Sequence, residues 1–185
     1  IRPEKITVIP LGLADRYVPV TDGVVCARVR ERFGLPEKYI LYLGNFKPHK
    51  NVSSLLQAFS RIREARKDYK LVLAGPLDAH GQAVQDQVSA LGLEDAVVFT
   101  GIVREDDLPE VILSLAECFV FPSLYEGFGI PPLEAMACGT PVIGSDVGGI
   151  KHTVEDGKTG FLVPPHDPDA VADRLARLYG DPALR

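Results

Sequence analysis

The chain alternates short apolar runs with longer amphipathic segments from one end to the other. The apolar runs are Ile6–Ile9, Tyr39–Leu43, Lys70–Ala74, Val97–Thr100, Cys118–Phe121, Pro141–Ile143 and Phe161–Val163. Most are rich in strand-forming residues and do not alternate apolar with polar, the pattern of strands covered on both faces. Helical candidates lie between them, near Val24–Phe33, Val52–Lys67, Gly81–Leu91, Asp106–Leu115, Leu133–Ala137 and Asp169–Tyr179. This rhythm predicts an α/β fold with a doubly wound, Rossmann-like parallel sheet. Such sheets bind ligands outside the carboxyl ends of their strands, so the loops after Leu43, Ala74, Thr100 and Phe121 form the candidate binding edge. No repeat, low-complexity tract or linker breaks the pattern. Residues 1–22 read as a segment arriving from another domain.

The loop after Phe121 carries the strongest chemistry. In Glu126-Gly-Phe-Gly-Ile-Pro-Pro-Leu-Glu134, Gly127 and Gly129 let backbone approach a ligand closely. Pro131 and Pro132 suit a first helical turn, where a missing N–H costs little. The N–H groups of Gly127, Phe128, Gly129 and Ile130 are then free to meet sugar hydroxyls or a phosphate. Glu134 is expected in that first turn, where the helix dipole favours a negative charge. A carboxylate there suits the two hydroxyls of a ribose, and Glu126 the hydroxyls of a hexose. A lone Glu at a helix start is usually a capping residue; two of them around Gly-x-Gly reverse that expectation.

A second loop, Gly44-Asn-Phe-Lys-Pro-His-Lys-Asn51, follows a strand and precedes a helix that Asn51 is placed to cap. Lys50 beside that helix start suits a diphosphate, whose charge grows as a glycosidic bond breaks. A solvated loop lysine is the plainer alternative.

At 185 residues the chain is long enough for one sizeable domain. Its net charge of −5, with scattered Lys and Arg, argues against nucleic acid as a partner. Cys26, Cys118 and Cys138 are too far apart for zinc-ligand spacing, which predicts unpaired thiols, no structural zinc and a reducing, cytoplasmic setting. No apolar run reaches the length of a membrane span. The chain begins at Ile1 and its single Met is Met136, from which a fragment is expected, either an excised piece or one domain of a longer enzyme.

The segment Phe121–Ser145 resembles the Glu-x7-Glu signature of retaining glycosyltransferases of the family 4, or group 1, type. Leu43–Asn51 is similar to the phosphate-binding loop of the same enzymes, and Val98-Phe-Thr-Gly-Ile-Val103 to the strand end that meets their nucleoside base. Gly139–Gly149, Asp156–Val163 and Ile6–Gly12 match further landmarks, so the resemblance covers essentially the whole chain in order. It implies the C-terminal, donor-binding half of a GT-B fold, with residues 1–185 as one nucleotide-sugar-binding domain. It also implies an N-terminal acceptor domain outside this chain. Glu126 would contact the transferred sugar as the catalytic-site residue, Glu134 the ribose, Lys50 the diphosphate, Gly127–Ile130 the sugar and phosphates, and Val103 the base. Asn45 stands where many members place an Arg, and Lys47 offers a nearby charge without the Arg fork. Lys151-His152 replace a usual Pro-Glu. The resemblance implies hexose transfer, mannose or glucose, from a nucleoside-diphosphate sugar to an acceptor glycan, lipid or small molecule. Neither cofactor nor metal is implied; peripheral membrane association would depend on the other half. The alternatives are a non-catalytic nucleotide-sugar-binding module and, fitting less well, a nucleotide-sugar epimerase.

Competing features reduce to simpler roles. Asp167-Pro-Asp169 looks like an Asp-x-Asp metal site but stands where Asp167 would cap a helix with Pro168 at its first position. Glu105-Asp-Asp107 reads as an acidic helix start. His80, His152 and His166 read as surface residues; His49, in the phosphate loop, is either a solvated residue or a donor contact. No Walker loop or Gly-x-Gly-x-x-Gly after a first strand is present, so ATPase and dehydrogenase readings lack support.

Overall fold

Strand β1 (Tyr39–Leu43) shows how the domain is built. Ile40 and Tyr42 enter one apolar cluster, and Tyr39 and Leu41 enter another on the opposite face. Every one of these side chains is fully buried, so both faces of the strand exclude polar residues and the sequence reads as an unbroken apolar run. Burial of this kind contributes about 1.5–3 kcal/mol per large apolar side chain. The one polar atom that Tyr39 takes inside is satisfied, because its hydroxyl donates to the Ile112 carbonyl at 2.6 Å.

The computed structural model describes all residues except 1, 6, 8–10, 182, 183 and 185. Among the described residues the sheet contains β1, β2 (Lys70–Ala74), β3 (Val97–Gly101), β4 (Cys118–Phe121), β5 (Val142–Ser145) and β6 (Gly160–Val163). They run parallel in the order β3-β2-β1-β4-β5-β6. Helices α2 (Val52–Arg63), α3 (Ala79–Ala90) and α7 (Pro168–Gly180) cover one face. Helices α1 (Gly23–Phe33), α4 (Pro109–Ser114), α5 (Ile130–Ala137) and α6 (Ile150–Thr153) cover the other. The doubly wound sheet expected from the sequence is therefore the observed one. The strand expected at Ile6–Ile9 falls on residues 6, 8 and 9, which lie outside the described residues.

Several helix boundaries differ from expectation for local reasons. Helix α2 stops at Arg63 rather than Lys67: Ile62 is its last buried side chain, while Glu64, Ala65 and Lys67 are exposed and offer nothing to hold another turn. The helix expected over Asp106–Leu115 is broken at Leu108, which adopts φ 58° before Pro109 starts α4. Proline crowds its predecessor out of the helical region, so Glu105–Asp107 forms a separate 3₁₀ turn. Helix α3 begins at Ala79 because Asp78 caps it, accepting from the N–H groups of His80 and Gly81. Asp167 caps α7 as expected, with Pro168 at the first position.

The segment before α1 lies on α4. Arg16 pairs with Glu110 at 2.8 Å, and the Val20 N–H donates to Ser114 Oγ at 3.1 Å.

Candidate functional site

The chain leaves β1 toward β2 on one side and leaves β4 toward β5 on the other, yet β1 and β4 are hydrogen-bonded neighbours. The two loops therefore leave in opposite directions at the carboxyl end of the sheet, the switch point where doubly wound folds have their ligand crevice. Both segments singled out in the sequence arrive here: Gly44–Asn51 after β1, and residues 122–129 after β4.

Three bonds tie the loops together. The Leu124 N–H donates to the His49 carbonyl at 2.7 Å, and Asn51 Nδ2 donates to the Pro122 carbonyl at 3.1 Å. The third is an ion pair between Lys50 Nζ and Glu126 Oε1. The two side chains are only 14% and 16% exposed, so this is no loose surface pair. The Lys50 ammonium also lies 5.2 Å from the centre of the Phe121 ring.

Lys50 closes a 3₁₀ turn, Pro48–Lys50, just before α2. Asn51 does not cap that helix as expected. It takes φ 54°, and its amide spans the crevice to Pro122 while its Oδ1 accepts from Ser54 Oγ at 2.9 Å. Asn45 accepts from the Lys47 N–H at 3.2 Å, which sets a local turn; Lys47 itself is exposed. Beneath them Phe46 is buried, stacked on Tyr42 at 5.8 Å and edge-on to Phe99 at 6.3 Å.

Helix α5 starts at Ile130 with prolines in its first turn. Gly129 precedes it at φ 88°, a conformation open to glycine. Among the described residues, nothing accepts a hydrogen bond from the N–H groups of Gly127, Phe128, Gly129 or Ile130. These donors stand unpaired at the helix start. Nothing lies within 4 Å of where a Cβ on Gly127 would stand, so no neighbour in the domain demands a glycine there.

Glu134 corrects one expectation. Because α5 begins at Ile130, Glu134 lies beyond the first turn, and the dipole argument loses its main force. It is half-buried, and burial raises its carboxyl above the usual range, opposed by the Tyr17 hydroxyl and the Arg16 charge. Its neighbours are thus residues of the incoming segment rather than Lys50. The Tyr17 hydroxyl is itself pushed up, first by burial and then by Glu134. Val103 follows β3, on the same rim but two strands from β1. The structure thus joins Lys50 to Glu126 directly, while Glu134 and Val103 flank that pair.

The sequence reading missed a brace. Gly148 and Gly149, between β5 and α6, press against the acidic loop: a Cβ on Gly148 would stand 2.0 Å from the Glu126 carbonyl oxygen, and one on Gly149 2.3 Å from Phe128 Cα. The Gly149 N–H donates to the Glu126 carbonyl at 3.3 Å. A Gly-Gly pair opening a short helix was the available signal. Asp167 and Asp169 are spent elsewhere, on the α7 cap and on Arg61 at 2.8 Å. His49, His80, His152 and His166 are all exposed. A cavity of about 680 Å³ opens between α5, α7 and the start of β6, lined by Leu133, Met136, Phe161 and Leu178. Pro141 and Gly160 place it at the opposite, amino end of the sheet.

A doubly wound parallel sheet of this kind places its ligand site at the switch point, where the Lys50–Glu126 pair lies. Residues 27–185 match the model of the family described as glycosyl transferases group 1, and the chain belongs to that family. It is 37% identical over 173 residues to an alpha-D-kanosaminyltransferase of Streptomyces kanamyceticus, an alignment covering 93% of this chain and 44% of that protein. Among solved structures it is similar to a sucrose-phosphate synthase from Thermosynechococcus elongatus, with 37% identity, a TM-score of 0.79, and coverage of 91% and 42%. It also shares its fold with Anabaena HepE, solved with UDP and glucose, at 24% identity, a TM-score of 0.86, and coverage of 99% and 50%. The chain spans about half the length of these relatives.

Proposed function

We propose that this domain binds a nucleoside-diphosphate hexose at the switch-point crevice. Within a longer enzyme it would deliver the hexose to an acceptor hydroxyl with retained anomeric configuration. The observation that carries this reading is the meeting of Lys50 and Glu126, 76 positions apart, across a crevice edged by unpaired backbone donors. Lys50 holds the diphosphate and stabilises the charge that grows on it as the glycosidic bond breaks. Glu126 accepts from hydroxyls of the hexose, and the Gly127–Ile130 N–H groups donate to the sugar and phosphates. Glu134, with Tyr17 beside it, receives the ribose diol, and the backbone at Val103 meets the base. Asn45 and Lys47 complete the phosphate side.

No metal or cofactor is required in this reading. The acceptor, a glycan, lipid or small molecule, would come from the other half of the enzyme. That half also closes the cleft against water, since hydrolysis competes with transfer. The isolated domain is therefore expected to bind donor and to turn over slowly or not at all. Cys26, Cys118 and Cys138 are all free, which supports a cytoplasmic setting. Among the described residues no helix is long and apolar enough to cross a membrane.

The test is thermal stability of the chain against GDP, UDP and ADP, each with and without its hexose. At about 100 times Kd one nucleotide should add roughly 2.7 kcal/mol and identify the base. Absence of any shift, both here and in the full-length protein, would overturn the reading.

A further inference from the structure

Lys50 and Glu126 each have one ion-pair partner among the described residues, and it is the other. Both side chains are mostly buried, so neither charge has bulk water as a ready substitute. If a phosphate takes Lys50, Glu126 is left charged, shielded from solvent and close to a polyanion. Stranding one member of such a pair costs far more than the pair itself contributes.

We propose that this ion pair acts as a counter-ion exchange by which the site prefers a sugar-bearing nucleoside diphosphate over the bare one. Glu126 is the specificity-determining residue. The inference rests on the nucleotide-sugar reading above and asks what the pair does to affinity. An intact donor satisfies both members: its diphosphate takes Lys50, and its hexose hydroxyls donate to the carboxylate that Lys50 leaves. A bare nucleoside diphosphate satisfies Lys50 only. Once the hexose has been transferred, Glu126 reclaims Lys50 and weakens the hold on the leaving diphosphate. The loop geometry suits this exchange. The backbone on either side of the pair is fixed by the Leu124–His49 and Gly149–Glu126 bonds, so the two side chains can re-pair without movement of the loops.

The measurement is calorimetric affinity of the chain for UDP, GDP and ADP and for their hexose conjugates, in wild type and Glu126→Gln. The amide keeps the size of the side chain and removes its charge. The bare diphosphate should bind about tenfold tighter to the variant and the intact donor about tenfold weaker, an effect between those of exposed and desolvated ion pairs. An unchanged or weakened affinity for the bare diphosphate would overturn the exchange while leaving the nucleotide-sugar reading in place. Repeating the substitution in a Lys50→Met background separates competition for Lys50 from simple repulsion. The gain should then fall below about twofold, since only residual repulsion remains. A gain of undiminished size there also overturns the proposal. If wild type and variants melt alike but bind none of the six ligands, in this chain and in the full-length protein alike, the nucleotide-sugar reading fails, and the exchange with it.

Discussion

Two of the carboxylate pairs in this chain, Asp167 with Asp169 and Glu126 with Glu134, end in different roles. At Asp167-Pro-Asp169 the first carboxylate accepts from the Ala170 N–H and the second pairs with Arg61 on the surface. At the switch point Glu126 lies in the loop before α5, and among the described residues its carboxylate accepts from no N–H of that helix. It meets a cation from a loop 76 positions earlier, and both charges lie mostly out of water. A carboxylate that serves its own helix is satisfied by local sequence and is finished when the helix forms. One that depends on a distant cation can exchange that cation for a ligand. Partner and burial, rather than spacing, separate the two.

The sharpest test of this contrast is the brace. The capping acid needs no outside support, whereas the acidic loop leans on Gly148–Gly149. Gly149→Ala would drive a Cβ into the Phe128 backbone, and overpacking of that kind should cost about 3 kcal/mol of stability in a denaturant melt. Asp167→Ala, by comparison, should cost about 1 kcal/mol, the loss of one helix cap, with nucleotide affinity untouched. Between them stands Lys50→Ala. Loss of one charge-assisted bond should weaken a nucleoside diphosphate by about 2 kcal/mol, roughly thirtyfold in Kd, and leave a bare nucleoside nearly unaffected. Calorimetry reads both ligands, and equal losses for the two would remove Lys50 from the phosphate site.

The same contrast explains what could be read from the sequence. Strands β1, β2, β4 and β5 were legible because burial on both faces leaves unbroken apolar runs such as Tyr39–Leu43 and Cys118–Phe121. Helix ends were harder where a neighbour decides them. Leu108 breaks α4 only because Pro109 follows, and α2 ends where its buried face runs out. At the site, Lys50 and Glu126 were each legible from residue type and local pattern, but their pairing was not, since it depends on β1 lying beside β4. Asn51 looked like a cap and serves as a cross-link, because at φ 54° its Oδ1 accepts from the Ser54 hydroxyl instead of a helix N–H, while its Nδ2 donates to the Pro122 carbonyl. Tyr17 left no trace as a neighbour of Glu134, for that contact exists only once the incoming segment has settled on α4.

The smallest expected effect concerns that neighbour. Burial raises the Glu134 carboxyl above its unfolded value, so the folded state holds its proton to a higher pH. The stability this contributes is fully present below the unfolded pKa and is lost as pH rises through the folded one. Glu134→Gln should therefore be slightly more stable than wild type at neutral pH, and the gap should close on acidification. Binding has the opposite sign, because a ribose diol donates to the ionised carboxylate. Affinity for the intact donor should fall as pH drops through the raised range, starting earlier than for an ordinary carboxylate. The intact donor suits this measurement because its diphosphate is esterified at both ends and adds no titration of its own there. A flat profile in wild type, or one unchanged in Glu134→Gln, would move the ribose site elsewhere on the rim.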